Sequence, residues 1–564
     1  MPIQAPLSPL ERTLSQAKLE SSNNAKKVDS SAKVDCHDLP SKSRNDSTAQ
    51  DSRINKNHTN STNATRRQDF GDKNGALQGQ TWDLPKAVMS ADSPQQSPFL
   101  AQKPTPEAIH SLIFHRDPTT LTQPQKSQIL SALSTLKVLD PACGSGAFPI
   151  GLLQELLELG EILGDTRDAY TRKLEILQNN IYGIDIQPMA TEISRLRCFL
   201  SLIVDEAKDS IAPLPNLEFK FLSANSLLPL PQDSTLEYDG YQADKQKLES
   251  IRQDNFSADL SKRESLKQDY LKTATHIARN LILHAQGESP LTSWNPYDPH
   301  SVAGFFDSEY MFGLQGFDIV IGNPPYGATY PAEHKLIFKK HYKSARTINE
   351  REAKRLYPKE WQDKLQVGSL NTYSLFIEQS YNLCATQGIV SLIVPMSVTA
   401  SESMQGLHKL LLNNCESIWV SSYGERPAKI FTNAEQKVSI ISFIKSNTKT
   451  KNLLTTGVNK RYSTTTIKQV LDGLAFTNSI NFIKSGRLPK ISYQIEVDIL
   501  RKMYSLDSTI ADFICSKNKG LSIYYRSSGN RYYNLITTFS TKSSKEKCFF
   551  VVKKIPQSNF CHFV

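Results

Sequence analysis

Apolar and polar positions divide this chain into a long polar opening and a central region of alternating strand and helix patterns. From Met1 to about Pro98, Ser, Asn, Asp, Gln and Lys dominate and few apolar residues are spaced for a core, a composition that predicts disorder. Leu136-Lys137-Val138-Leu139 then reads as a short buried strand, and Leu152, Leu153, Leu156, Leu157 and Ile162 recur at the spacing of an amphipathic helix. Residues 181–186, 217–222 and 317–320 predict further apolar strands. Between Leu230 and about His300, residues 241–279 place leucines at helical intervals among Lys, Glu and Asp, which predicts inserted helices with a surface or partner-binding role. The expected fold class is α/β, a doubly wound Rossmann-like sheet with inserted helices.

Two turns at the ends of these strands carry candidate chemistry. Asp140-Pro141-Ala142-Cys143-Gly144-Ser145-Gly146-Ala147-Phe148 joins the first strand to its helix. Gly144 and Gly146 let a ligand approach the backbone, and the helix N-terminus favours an anion. The third glycine of the dinucleotide fingerprint and the Gly-Lys-Ser/Thr of a triphosphate loop are both missing, so neither ligand class fits well. Asp185 ends the next strand, where a carboxylate can bind both hydroxyls of a ribose; the competing reading is a helix N-cap ahead of Pro188. Asn225 follows the third strand, near the expected place of an adenine edge.

The second turn is Asn323-Pro324-Pro325-Tyr326, delivered by Phe317-Asp318-Ile319-Val320. An Asn323 side-chain carbonyl and the Pro324 backbone carbonyl can each accept one hydrogen of a planar amino group, aiming its lone pair at an electrophile. Pro325 stiffens the turn, and Tyr326 offers a face on which a flat base can stack, worth roughly 1–3 kcal/mol. Asn-Pro is also an ordinary turn signal after a buried strand.

Together these residues resemble the S-adenosylmethionine-dependent DNA adenine-N6 methyltransferases of the amino group in which the cofactor motif precedes the catalytic one. Residues 140–148 look like the family's cofactor loop, Asp185 like its ribose-binding acid, and Asn225 like the position, often Asp there, that meets the cofactor's adenine. Pro104-Thr105-Pro106-Glu107-Ala108-Ile109 resembles the short N-terminal cofactor motif. Residues 371–376 and 387–395 are similar to the helix and strand that follow the catalytic turn. Ile430-Phe431 with residues 436–443 resembles the segment whose aromatic ring packs on the flipped base. The resemblance implies S-adenosyl-L-methionine as cofactor, held by Thr105, Asp140, Ala142, Gly144, Gly146, Phe148, Asp185 and Asn225. It implies catalysis by Asn323, Pro324, Pro325, Tyr326 and Phe431, without a metal or a catalytic cysteine, on an adenine of double-stranded DNA. The long spacer and the C-terminal segment look most like the methylase part of type IIG restriction-modification systems, which leaves room for a separate restriction or specificity subunit. The domains expected on this basis are a polar tail at 1–98, the methyltransferase domain at 99–455 with an insertion at about 231–300, and a partial target-recognition domain at 456–564.

Charge adds a direction to this reading. The net charge is +10, yet from Lys445 onward 20 Lys and Arg face 6 Asp and Glu, against 46 and 50 before it. In the C-terminal part basic residues interleave with aromatics, as in Tyr524-Tyr525-Arg526 and Arg531-Tyr532-Tyr533. That composition suits phosphate and base contacts, or a solvated basic surface. The 8 cysteines show no metal-ligand or disulfide spacing, so reduced thiols are expected. Without a signal segment or an apolar run near the roughly 20 residues of a membrane span, a soluble cytoplasmic protein is expected. No Pro-Asp and Glu-x-Lys nuclease pattern occurs. The recognition domain stops soon after Tyr533, which suggests C-terminal truncation. Two other readings remain open: a catalytically inactive DNA-binding remnant, and a methyltransferase acting on protein glutamine or RNA.

Overall fold

The computed structural model describes residues 103–205, 214–230, 238, 240–281, 291, 294–345, 370–430, 436–483 and 487–507, with short strands at 521–525, 536–537 and 549–552. The polar opening, Phe431 and the basic-aromatic groups at 526 and 531–533 lie outside the described residues.

A nine-stranded sheet organises the fold, in the order β3-β2-β1-β4-β5-β7-β6-β8-β9. Its strands are β1 (Val138–Asp140), β2 (Ile181–Asp185), β3 (Phe221–Ser223), β4 (Phe317–Gly322), β5 (Cys384–Pro395), β6 (Cys415–Tyr423), β7 (Val438–Lys445), β8 (Asn452–Asn459) and β9 (Thr477–Asn478). From β3 across to β5 all neighbours are parallel, and β7 is antiparallel to both β5 and β6. The central strands read as continuous apolar runs because the sheet is covered on both faces. Leu139, Ile184, Val320, Val390 and Ile441 are fully buried in one main cluster.

Helices α1 (Pro106–His115), α2 (Gln123–Thr135), α3 (Ala147–Ile162), α4 (Ala169–Asn179) and α5 (Pro188–Ile203) precede β3 or connect its neighbours. The expected insertion forms α6 (Tyr241–Phe256) and α7 (Leu260–Leu281), joined to β4 through α8 (Ser308–Phe312). These helices are not a surface appendage. Leu248, Ile251, Leu266, Tyr270 and Ile277 belong to the main core cluster, because their apolar stripe is wide enough to pack against the sheet rather than only to solubilise a loop. After β4 come α9 (Ala332–His341), α10 (Thr372–Leu383), α11 (Ser397–Ala400), α12 (Gln405–Asn414), α13 (Ile467–Asp472) and α14 (Gln494–Tyr504).

Two expected boundaries shift. The third strand starts at Phe221 rather than Leu217, since Leu217 accepts the backbone N–H of Lys220 and of Phe221 in a turn. The limit at 455/456 falls inside β8, and the same sheet continues to Asn478. Strands β10 (Leu521–Tyr525), β11 (Ile536–Thr537) and β12 (Phe549–Val552) form a separate antiparallel sheet. Among the described residues no helix is long and apolar enough to cross a membrane.

Candidate functional site

Ligands of open parallel sheets bind outside the carboxyl ends of the strands, and here those ends carry the candidate residues. Register puts Asp140 opposite Gly183, Asp185 opposite Ser223, and Leu139 opposite Val320, so the turns after β1, β2, β3 and β4 all leave at one edge.

The turn after β1 is built by its glycines and by what packs beneath it. Gly144 and Gly146 have φ of 53° and 81°, the left-handed region that disfavours a side chain. They differ in surroundings. A Cβ on Gly146 would stand 2.9 Å from Ser194 Oγ and 3.1 Å from its Cα, so this glycine lets α3 approach α5. A Cβ on Gly144 would meet nothing within 4 Å, so this glycine opens onto free space beside the backbone. Ser194 Oγ donates to the Gly144 carbonyl at 3.0 Å and holds the turn from behind. Cys143 is buried, its N–H donates to the Ile184 carbonyl, and burial beside Asp140 and Asp185 pushes its thiol pKa up. It therefore packs the loop against Gly183 and Phe221. Ala142 is half-buried against a cluster that includes Leu227 and Phe338, and Phe148 is half-buried in the first turn of α3.

Asp185 is not the N-cap of α5, a position held by Gln187. Its Oδ2 instead accepts the Gly144 N–H at 2.9 Å and its Oδ1 the Gln187 N–H at 2.9 Å, tying the β1 and β2 turns together. Asn225 Oδ1 accepts the Leu227 N–H at 3.2 Å, and its backbone N–H donates to the Ala303 carbonyl. Thr105 is the N-cap of α1, accepting the Ala108 N–H at 3.2 Å.

Asp140 was read from sequence as a loop residue; its geometry makes it the junction of the two motifs. It is only 3% exposed, its Oδ1 accepts the Ala142 N–H at 3.1 Å, and a Cβ on Gly322 would stand 2.6 Å from that same oxygen. Gly322 immediately precedes Asn323, so the cofactor-type loop and the catalytic-type turn touch through this carboxyl. Sequence reasoning missed Gly322 and Ser194, because their roles are defined only by what lies across the fold.

Burial, with Asp185 as a nearby like charge, raises the Asp140 pKa to about 7. The folded state thus keeps a proton that the unfolded chain releases near pH 4, and stability contributed by that proton is lost as pH rises through 7. Asp140→Asn carries no such titration. The melting-temperature difference between Asp140→Asn and wild type should shift in the variant's favour from pH 5 to pH 8, by the equivalent of about 2 kcal/mol. A pH-independent difference in thermal melts would refute this assignment.

In the second turn Asn323 is exposed, Pro324 buried, Pro325 exposed and Tyr326 half-buried. The Tyr326 hydroxyl donates to Asn323 Oδ1 at 2.8 Å. Its ring packs near Tyr423, Val438 and Ile393, and burial raises its pKa, so the hydroxyl stays a donor at neutral pH. Beyond the turn, Tyr330 donates to Thr372 Oγ1 at 3.1 Å, while the buried Glu378 carboxylate accepts the N–H groups of Lys343 and Ser344 at 2.8 and 2.7 Å. These contacts brace α9 and α10 around the turn. Phe431, expected as a second aromatic face, lies outside the described residues.

Fold and site together define a doubly wound α/β protein with a glycine loop, an acid and an Asn-Pro-Pro-Tyr turn at one edge of a parallel sheet. Comparison with known proteins agrees with the resemblance read from the motifs. Residues 179–431 match the model of the Eco57I restriction-modification methylase family. The chain is 25% identical over 420 residues to the type II restriction enzyme and methyltransferase RM.Eco57I of Escherichia coli, covering 70% of this chain and 33% of that protein. A putative type II restriction enzyme and methyltransferase of Methanocaldococcus jannaschii is 41% identical over 107 residues, 18% of this chain and 9% of its length. The chain thus spans about a third or less of these relatives. Among solved structures, a nuclease-deletion mutant of the Type ISP restriction-modification enzyme LlaGI with a DNA substrate mimic aligns with 11% identity and a TM-score of 0.38, over 76% of this chain and 30% of that one.

Proposed function

We propose that this chain is the methylase part of a restriction-modification system and transfers the methyl group of S-adenosylmethionine to N6 of an adenine flipped out of duplex DNA. The observation that carries this reading is the contact between Asp140 and Gly322, which sets a nucleoside-type loop and an amino-group-holding turn on neighbouring strands. The residues suit the cofactor: Gly144 presents open backbone, and Asp185 lies where ribose hydroxyls can replace its present bonds to the loop. When bound, S-adenosylmethionine supplies an electrophilic methyl on a sulfonium centre.

The chain's own residues have three tasks. Asp185 accepts from the ribose hydroxyls, and Asn225 and Thr105 border the nucleoside. Asn323 Oδ1 and the Pro324 carbonyl accept the two N6 hydrogens, fix the direction of the lone pair and stabilise the positive charge that develops on nitrogen. Tyr326 and Phe431 stack on the flipped base and offset the few kcal/mol of unstacking.

The Tyr326 hydroxyl has a role of its own in this scheme. By donating to Asn323 Oδ1 it determines which end of the amide faces the base, leaving the second lone pair of that oxygen for N6. Tyr326→Phe keeps the ring and loses this bond. Single-turnover transfer should fall about 3- to 10-fold, the worth of one hydrogen bond, while DNA affinity stays near wild type. An unchanged rate would remove the hydroxyl from the mechanism.

We assign residues 1–98 to a tail, the segment from about 99 through the end of the large sheet to the methyltransferase domain, and the basic region after it to DNA recognition. Transfer of labelled methyl to unmethylated genomic DNA, with mapping of the modified base, tests the whole reading. N6-methyladenine within one sequence motif is the expected result. Label on cytosine N4, on RNA or on a protein glutamine would replace the substrate, and cofactor binding without transfer would favour the inactive remnant.

A further inference from the structure

Helix α5 is apolar on two faces, and among the described residues only one is covered. Thr191, Ser194, Cys198 and Leu202 are buried toward the sheet. On the opposite side Met189, Ile193, Leu196, Leu200 and Ile203 are 71%, 36%, 52%, 52% and 47% exposed. A surface helix ordinarily carries charged and polar residues there, and a helix apolar all round is built to be covered all round. Singly exposed leucines need no explanation, but five in register along one helix form a contiguous patch.

The spacing of these five says what shape of partner fits. The intervals are four, three, four and three residues, the seam of a coiled coil with Ile193 and Leu200 at a positions and Met189, Leu196 and Ile203 at d positions. Ile193 at a with Leu196 at d is the pairing that favours two strands, and the Leu200–Ile203 layer at the end of the helix adds nothing to that preference. Charge at the flanks then chooses the partner. Glu192 falls at a g position and Arg197 at the e position five residues on, the pair that meets across a parallel two-stranded seam. Arg197 is exposed, and Glu192, 42% exposed, holds Arg195 through Oε1 and has its second oxygen to offer. In a symmetric parallel pair the Glu192–Arg197 contact forms twice, whereas antiparallel pairing sets e against e and g against g and takes Glu192 away from Arg197.

We propose that the outer face of α5 is a homodimer seam, on which a second copy of this chain packs its own α5 in parallel about a two-fold axis. The interface is isologous, so the same five side chains serve both partners. Together they present roughly 500 Å² per chain, at the lower limit of a specific interface and well below the usual 800 Å² per side, which implies a weak, reversible dimer. The inference is independent of the proposed reaction.

Sedimentation velocity of the full chain tests it. Wild type should pass from monomer to dimer at low-micromolar concentration, about 1–20 µM. Leu196→Asp, at an exposed site that the monomer tolerates, should raise the midpoint at least about 30-fold, on the scale of a buried hot spot. Glu192→Arg or Arg197→Glu alone should weaken association about 5-fold, and the exchanged pair Glu192→Arg with Arg197→Glu should recover it. A monomer up to about 100 µM, a dimer indifferent to Leu196→Asp, or no recovery in the exchanged pair would each overturn the proposal.

Discussion

Asn323→Ala should lower methyl transfer by about 10²–10³-fold while leaving S-adenosylmethionine affinity within about twofold of wild type, the range seen when one preorganised polar contact to a developing charge is removed. The asymmetry follows from where Asn323 stands. It is exposed at the tip of the turn and its side chain is held by the Tyr326 hydroxyl, so truncation removes a group aimed at the base without opening the core. The cofactor-side residues are reached through Gly322 and Asp140, whose backbone and burial do not depend on the Asn323 amide. Paired measurement of label transfer and of cofactor binding by equilibrium dialysis separates the two effects. Retained transfer, or an equal loss of cofactor binding, would remove Asn323 from the role of amino-group acceptor.

Asp185→Ala should act in the opposite sense, weakening cofactor binding about 10- to 100-fold, the worth of charge-assisted hydrogen bonds to two ribose hydroxyls. Part of that loss comes from the loop itself. In the present structure the carboxylate accepts the Gly144 N–H and the Gln187 N–H, so alanine frees the glycine turn as well as removing a ligand contact. Asp185→Asn keeps one acceptor for Gly144 and should lose less than alanine does. Isothermal titration with S-adenosylhomocysteine, which needs no catalysis, gives both affinities. Wild-type affinity in Asp185→Ala would place the ribose elsewhere. The two substitutions together distinguish a defect in holding the cofactor from a defect in holding the base.

Strands β1, β2 and β4 were legible because buried parallel strands are short continuous apolar runs followed by glycine or an acid. The inserted helices were legible as helices, from leucines at helical spacing, but not as part of the core: Tyr270 and Ile277 are fully buried only because the sheet lies against them. The third strand was placed four residues early, since Leu217 and Phe219 are buried in a turn and apolar burial alone does not separate turn from strand. The limit near 455 followed the extent of the motif resemblance, whereas sheet pairing, which follows backbone hydrogen bonds, runs on to Asn478.

By itself the sequence determined the chemical types at the site: two glycines, an acid after each of two strands, and an amide followed by two prolines and a ring. Those depend on local requirements, such as positive φ, a carbonyl without a competing N–H, and a carboxylate at a strand end, that each residue meets by its own covalent structure. Only the tertiary structure decided that Asp140 touches Gly322, that Gly146 yields space to Ser194 while Gly144 opens to solvent, and that α5 keeps a second apolar face. The first two are relations between residues far apart in the chain and the third is a matter of what the sheet leaves uncovered, all set by strand order and packing distance rather than by local covalent structure.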